Sequence, residues 1–412
     1  MQKPILISLS PNTDSSDVVL AFKTLLQPWT WKSGKTLNLL SQKLKSFFKA
    51  KNCYLLNSGR NALYLALKTL NLKSSDEVLC QAFTCVAVPN AILWAGAKPV
   101  FVDTVKNSFN LDIQDLAKKI THKSKALIIQ HTFGQPDDIN AIKQLCQKHN
   151  LVLIEDCAHS LGAKYKNKLV GTFADLTVLS FGRDKVISSV FGGALLVNNQ
   201  QFVNQLNQLT SNLKYPSACW VAQQLSHPII FSLAIPTYFF PKLGKFTLGK
   251  ALIFISQKLK FITLPVSSKE KNCQMSLKLQ KLPHALAILA LHQLNKLEKI
   301  NQQRQTIAKQ YQKALKSPPS SSGSIYMRFP ILVNHPQALI KLAKKHQVLL
   351  GNWYRPVIAP QGVNLNKVGY QAGSCPQAEA VSQKVVNLPT HPQMSIQDAH
   401  KVVKIVKNHV NH

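Results

Sequence analysis

At 412 residues the chain exceeds what one simple core organises, so two domains, or one large and one small, are expected. Its 45% hydrophobic and 16% charged content excludes long disordered tracts. The net charge of +33 would attract anionic metabolites, membrane or nucleic acid, but 45 of the 50 basic residues are lysines spread along the chain, so no nucleic-acid partner is expected.

From about residue 50 to 200, short apolar runs alternate with helical patterns. "CYLLNSGRNALYLALKTL" passes from strand through turn to helix. "EVLCQAF" and "KPVFVD" read as strands around a helical "AVPNAILWAG". "KALIIQHTFG" is a strand, and "DINAIKQLCQKHN" a helix with apolar positions at i, i+3 and i+4. "LVLIEDCAHS" and "LTVLSFG" are two further strands. Strands without polar interruption, alternating with helices, mean an α/β fold whose parallel sheet is buried on both faces. Ligands of such sheets bind beyond the carboxyl ends of the strands.

Residues 215 to 270 are unusual, because no Asp or Glu occurs between Asp184 and Glu270. "HPIIFSLAIPTYFFP" and "KALIFISQKLKFITLP" are apolar with lysines interspersed, and Pro228, Pro236 and Pro241 are expected to break the first run. Such a section either lies on a membrane surface or packs on the protein or a partner subunit. "LPHALAILALHQLNKLEKINQQRQTIAKQYQKAL" (282–315) is expected to form one long amphipathic helix with Pro283 in its first turn. After the loop "SPPSSSGS", the strand and helix patterns suggest a small α+β domain. The expected division is 1–280 and 281–412.

The eight cysteines lack paired C-x-x-C spacing, so no metal site is expected. With no signal peptide at "MQKPILISLSPN", a cytoplasmic protein with reduced thiols is expected. Only five arginines occur, and an Arg kept in a Lys-rich chain suggests a need for its planar fork.

Asp156 ends one predicted strand, with His159 three residues on; Ser180 ends the other, with Lys185 five residues on. If both strands finish at one sheet edge, all four face one crevice. Upstream, Ser58 and Gly59 open a helix whose free N–H groups suit an anion. A phosphate cradle, a carboxylate and a lysine fit pyridoxal 5'-phosphate: the lysine bonds the aldehyde, and the carboxylate pairs with the ring nitrogen.

"VLIEDCAHSLGAKYKNKLVGTFADLTVLSFGRDK…FGGALLVNN" resembles the DegT-type sugar aminotransferases, of fold type I in the aspartate aminotransferase superfamily. Their pattern runs strand-E-D-x-A-(Q/H)-x-x-G, then G-x-x-(A/G)-D, S-F-x-x-x-K, and G-G before a strand. The resemblance covers nearly the whole chain except 215 to 270. It implies a mostly parallel central sheet with a smaller C-terminal α+β domain, and a homodimer with sites at the subunit interface. It also implies transfer of an amino group from an amino acid, usually glutamate, to a keto sugar, usually nucleotide-linked. Lys185 then takes the cofactor aldehyde, Asp156 the ring nitrogen, and His159 the ring; Ser180 holds the phosphate with the amides of Gly59 and Arg60. Asn212 falls near a family asparagine that reaches a neighbouring subunit's cofactor. In "GNWYRPVIAP", Trp353, Tyr354 and Arg355 correspond to a stretch lining the substrate pocket, and Arg183 joins them as a substrate contact.

Three departures from the family bear on the site. Arg60 stands where a hydroxyl residue is usual. Cys85 replaces an aromatic that covers the cofactor ring, so either Phe83 or His159 supplies that packing or the ring is held more loosely. Val190-Phe191-Gly192-Gly193 replaces Gly-Glu-Gly-Gly and loses a carboxylate. Three rivals stay open: a sugar dehydratase, whose relatives have His in place of the lysine; an aminotransferase for a lipid-linked acceptor; and a non-catalytic basic membrane- or nucleic-acid-binding protein on this scaffold.

Overall fold

A computed structural model of the chain describes residues 4–243, 246–264, 266–276, 278–317 and 322–410. Helices α1 (Ser15–Leu25) and α2 (Lys35–Phe48) precede a seven-stranded sheet. Its strands are β1 (Asn52–Leu56), β2 (Glu77–Gln81), β3 (Lys98–Val102), β4 (Ser124–Ile129), β5 (Val152–Asp156), β6 (Leu176–Ser180) and β7 (Gly193–Val197). In space they run β1-β7-β6-β5-β4-β2-β3. All are parallel except β7, which is antiparallel to both β6 and β1.

Side-chain alternation explains why these strands look uniformly apolar. Leu127, Ile129, Leu153, Leu179 and Leu196 point into one core, whereas Ala126, Ile128, Ile154, Val178 and Leu195 point into the other. A sheet covered on both faces leaves no polar side to show in the sequence. Helices α3 (Gly59–Lys68), α4 (Ala87–Trp94), α5 (Ile113–Lys119) and α6 (Ile139–Lys148) connect the strands. Asp112 caps α5 and Asp138 caps α6, each accepting N–H bonds from the first turn.

After β7 come α7 (Val203–Ser211), α8 (Ala218–Ala234), α9 (Leu248–Lys258) and the short α10 (Ser268–Lys271). Contrary to the expected break, α8 runs straight through Pro228. Burial of Val221, Leu225, Pro228 and Phe231 along one side offsets the hydrogen bond that proline forfeits. Among the described residues, no helix is long and apolar enough to cross a membrane.

The single helix expected over 282–315 is two helices, α11 (His284–Asn295) and α12 (Leu297–Leu315), with Pro283 as the cap before α11. At the joint, the Lys296 side chain donates to Asp14 (2.9 Å) and Asp17 (3.0 Å) on the α1 end. Leu286, Leu289 and Leu294 of α11 belong to the first sheet core together with Leu297 and Ile300 at the start of α12, whereas Ile307 and Tyr311 further along α12 belong to a third.

That third core joins α13 (Pro336–Lys345), α15 (Ile396–Val410) and the antiparallel pair β8 (Phe329–Leu332) and β9 (Val385–Leu388), while α14 (Pro376–Lys384) packs back on the second sheet core. Ile5 also belongs to the third core, and Ile5–Leu6 pairs in parallel with Val348–Leu349. The cores therefore divide the chain differently from a cut at residue 280. The N-terminal strand sits with the C-terminal unit, and α11 with the sheet. The loop expected at 317–324 falls partly outside the described residues.

Candidate active site

The pairing of β5 with β6 puts Val178 opposite Asp156. Asp156 thus stands at a carboxyl end, and Ser180 lies two residues further along the adjacent strand. The chain then loops out and back: the Phe181 N–H donates to the Gly192 carbonyl (2.9 Å), and the Ser189 N–H to the Phe181 carbonyl (2.9 Å). Lys185 occupies the turn of this loop, its N–H donating to the Gly182 carbonyl (3.1 Å). Asn12 grips the loop from behind, donating to the carbonyls of Lys185 and Val186. Arg304 in turn holds the Asn12 side-chain oxygen (2.6 Å).

Helix α3 meets this loop end-on. Ser58 is its N-cap and accepts from the Asn61 N–H (3.1 Å). Residue 59 has to be glycine, since an added Cβ would lie 2.6 Å from the Ser180 Cβ and 2.8 Å from its hydroxyl. Gly193 is equally confined, because a Cβ there would lie 2.5 Å from the Gly59 nitrogen. The helix N-terminus, with its free N–H groups and positive dipole end, is therefore held directly against the Ser180 hydroxyl.

His159 is buried and lies nearly parallel to the rings of Phe133 (8°) and Tyr354 (12°), and its Nε2 is 3.3 Å from the Tyr354 hydroxyl. Phe83 is fully buried among Phe109, Phe133 and Tyr354 and does not face the cavity. Of the two rings expected to replace the aromatic lost at Cys85, His159 lines the cavity and Phe83 does not. Thr84–Cys85 pairs in parallel with Ile358–Ala359, which brings the 353–360 stretch across the site. Trp353 lines the cavity, with the Lys185 Nζ 5.8 Å and the buried Arg328 guanidinium 4.4 Å from its ring centroid.

Burial and charge act together here. Burial lowers the Lys185 pKa, opposed by the Asp156 carboxylate; burial raises that of Asp156, opposed by Lys185. Burial, then the Lys185 and Arg328 charges, hold His159 well below the usual imidazole range, so it presents a neutral ring. Asp156 also accepts from the Ala158 N–H (3.0 Å). Behind it, Glu155 accepts from the N–H groups of Gly171, Phe173 and Ala174 and pairs with the buried His131.

All the sequence-predicted residues except Asn212 and Arg355 line one cavity of about 510 Å³. Asn212 is exposed at the end of α7, outside its own chain's cavity. Arg355 is half-buried and is not among the residues lining the cavity, whereas its neighbours Trp353 and Tyr354 are. Arg60 lines the cavity, but its guanidinium is ion-paired with Glu270 rather than held free for an anion. Arg183 donates to the Thr263 carbonyl (2.8 Å) and hydroxyl (3.0 Å), and burial lowers its pKa to about 10. Phe191 lies between these two arginines, with guanidinium carbons 5.9 and 5.5 Å from its ring centroid.

Sequence reasoning missed Glu270, Asn12 and Arg328. Glu270 had a visible signal, being the first acidic residue after a long gap. Arg328 had one too, as one of five arginines. Asn12 had none.

The arrangement suits a phosphorylated aromatic aldehyde: an anion end at α3, a carboxylate deep in the cavity, a ring to stack on, and a lysine beside both. Comparison with known proteins agrees. Residues 12–215 and 266–407 match the DegT/DnrJ/EryC1/StrS aminotransferase family. The GDP-perosamine synthase of Vibrio cholerae is 35% identical over 181 residues, covering 44% of this chain and 49% of that one. The UDP-N-acetyl-3-dehydro-alpha-D-glucosamine 3-aminotransferase of Acidithiobacillus ferrooxidans is 39% identical over 140 residues, 34% of this chain and 38% of its own. The chain spans about half the length, or less, of these two curated relatives. In fold it matches Helicobacter pylori PseC, an aminotransferase involved in pseudaminic acid biosynthesis, with TM-score 0.73 at 21% identity over 97% of each chain. With its sheet, cavity and motif residues in this order, the chain belongs to the DegT/DnrJ/EryC1/StrS aminotransferase family.

Proposed function

We propose that the chain is a pyridoxal-phosphate-dependent aminotransferase that moves an amino group from an amino acid, glutamate, to a nucleotide-linked keto sugar. The observation that carries this reading is that Lys185, Asp156 and the α3 N-terminus share one cavity. When bound, the cofactor supplies an electron-accepting ring that stabilises charge on the carbon that loses its proton. The α3 N–H groups and the Ser58 and Ser180 hydroxyls would hold the phosphate. Asp156 would pair with the ring nitrogen and keep its proton there. His159, neutral and nearly parallel to the neighbouring Phe133 and Tyr354 rings, would cover one face of the cofactor ring.

Lys185 is the amine that would hold the cofactor aldehyde, and its free amine would serve as the base and acid that move the proton. Its lowered pKa favours the neutral amine that this work needs. The sugar-nucleotide acceptor is supported by the two relatives, one named for a GDP sugar and the other for a UDP sugar. Arg183 and Trp353 line the same cavity, where a guanidinium suits a diphosphate and an indole a sugar face. The reading includes a cytoplasmic homodimer: Asn212 is exposed away from its own cavity, as a residue serving a neighbouring subunit requires.

The test incubates purified protein with pyridoxal phosphate and glutamate, then screens nucleotide-linked keto sugars by mass spectrometry for gain of an amine. Visible absorbance from the bound cofactor should appear and be bleached by glutamate. A Lys185→Ala variant that retains both the absorbance and the amine product would overturn the assignment.

A further inference from the structure

The stretch between the two family-matched parts, residues 216–265, is an addition to the family pattern. Helix α9 within it is built inside out. Gly249 and Ser256 are its buried residues, and Gly249 is so close to α8 that an added Cβ would lie 2.1 Å from the Ala234 carbonyl oxygen. Leu252 and Ile253 are half-buried, whereas Ile255 is 51% exposed and Leu259, the residue that caps the helix, 59%. Leu233 at the end of α8 (64%) and Phe261 after α9 (54%) extend the same exposure. A helix that packs on its own protein buries its large apolar residues and exposes the small and polar ones. Here the reverse holds, so the outward face is shaped for something other than this chain's core.

Charge identifies the occupant. Residues 233 to 264 contain five lysines and no acidic residue. A second copy seated symmetrically on this face would bring two acid-free, lysine-bearing stretches together. A bilayer with anionic headgroups has the opposite charge and an apolar layer beneath, and lysine stems reach from one to the other. Spanning is excluded for α9, whose 11 residues fall short of the roughly 20 that a membrane requires.

We infer that the outward face of α9 and the turn after it dock on an anionic lipid surface. The face adjoins the active site directly: Thr263 is the residue held by Arg183, and Leu264, 60% exposed, lines the cavity. Docking thus places the cavity beside the bilayer. The inference does not depend on the identity of the sugar acceptor.

The test is flotation of the full-length protein, loaded with pyridoxal phosphate, with vesicles of phosphatidylglycerol and phosphatidylcholine, or of phosphatidylcholine alone. The protein should float with the anionic vesicles only and be released by high salt. Ile255→Asp/Leu259→Asp should abolish flotation. Lys250→Gln/Lys258→Gln/Lys260→Gln should weaken partition by roughly a hundredfold, at about fivefold per lysine. Both variants should keep the visible cofactor absorbance and the sedimentation coefficient, which shows an intact fold independently of lipid. No flotation of the parent, equal flotation with neutral vesicles, or equal flotation of the Asp variant would overturn the inference. A changed sedimentation coefficient in the Asp variant would also overturn it, by giving the face to a second copy.

Discussion

Gly59→Ala tests the anion end of the site at its tightest point. The added methyl carbon would sit 2.6 Å from the Ser180 Cβ, whereas carbon atoms pack at about 3.5–4 Å. Rotation of Ser180 cannot relieve this, because the clash is with Cβ itself, and Ser180 is fixed in β6 by its pairing with Gly193. Helix α3 cannot simply retreat either, since Gly193 faces the Gly59 nitrogen from β7. About 1 Å must be found by moving the helix N-terminus, and overpacking of this kind costs about 1–3 kcal/mol. If that strain falls on the phosphate cradle, cofactor affinity drops by roughly 5- to 150-fold. Titration with pyridoxal phosphate, followed by visible absorbance, gives the Kd directly. Gly59→Ala/Ser180→Gly removes the clashing carbon and should bind more tightly than additivity of the two single changes allows. Unchanged affinity in Gly59→Ala, or strict additivity in the pair, would refute the close-approach argument.

Two further predictions concern charges that the fold has paired. Arg60→Met leaves the Glu270 carboxylate, 3% exposed, without its counter-charge and should destabilise the protein by about 3 kcal/mol. Arg60→Met/Glu270→Met should recover most of that loss, as read by denaturant midpoints. For His131, burial alone would lower the pKa, but bonds to Asp137 and Glu155 win and raise it from 6.5 to about 9. A raised pKa means stability fully present below pH 6.5 and lost as pH rises through about 9. The loss is on the order of 3 kcal/mol, and it should be absent from the pH profile of His131→Gln.

Much of the site could be read without coordinates. Asp156, Ser180 and Lys185 are separated by short stretches, so strand geometry alone sends them to one edge. The scarcity of arginine was informative too: Arg183, Arg304 and Arg328 are buried, and Arg60 and Arg355 are half-buried, so no guanidinium is spent on open solvent. Arg355 is harder to read: Trp353 and Tyr354 of its motif line the cavity and Arg355 does not, because local sequence does not fix which side chains of a loop face inward.

What the sequence determined by itself was the order of elements and the residues at strand ends, because side-chain periodicity and turn chemistry act over a few residues. Tertiary structure alone decided that Arg60 meets Glu270 from 210 positions away, and that His159 rather than Phe83 lines the cavity. It also decided that α9 buries Gly249 and Ser256 while leaving Ile255 exposed. Those outcomes depend on which surfaces meet after distant segments close on one another, and spacing along the chain carries no record of that meeting.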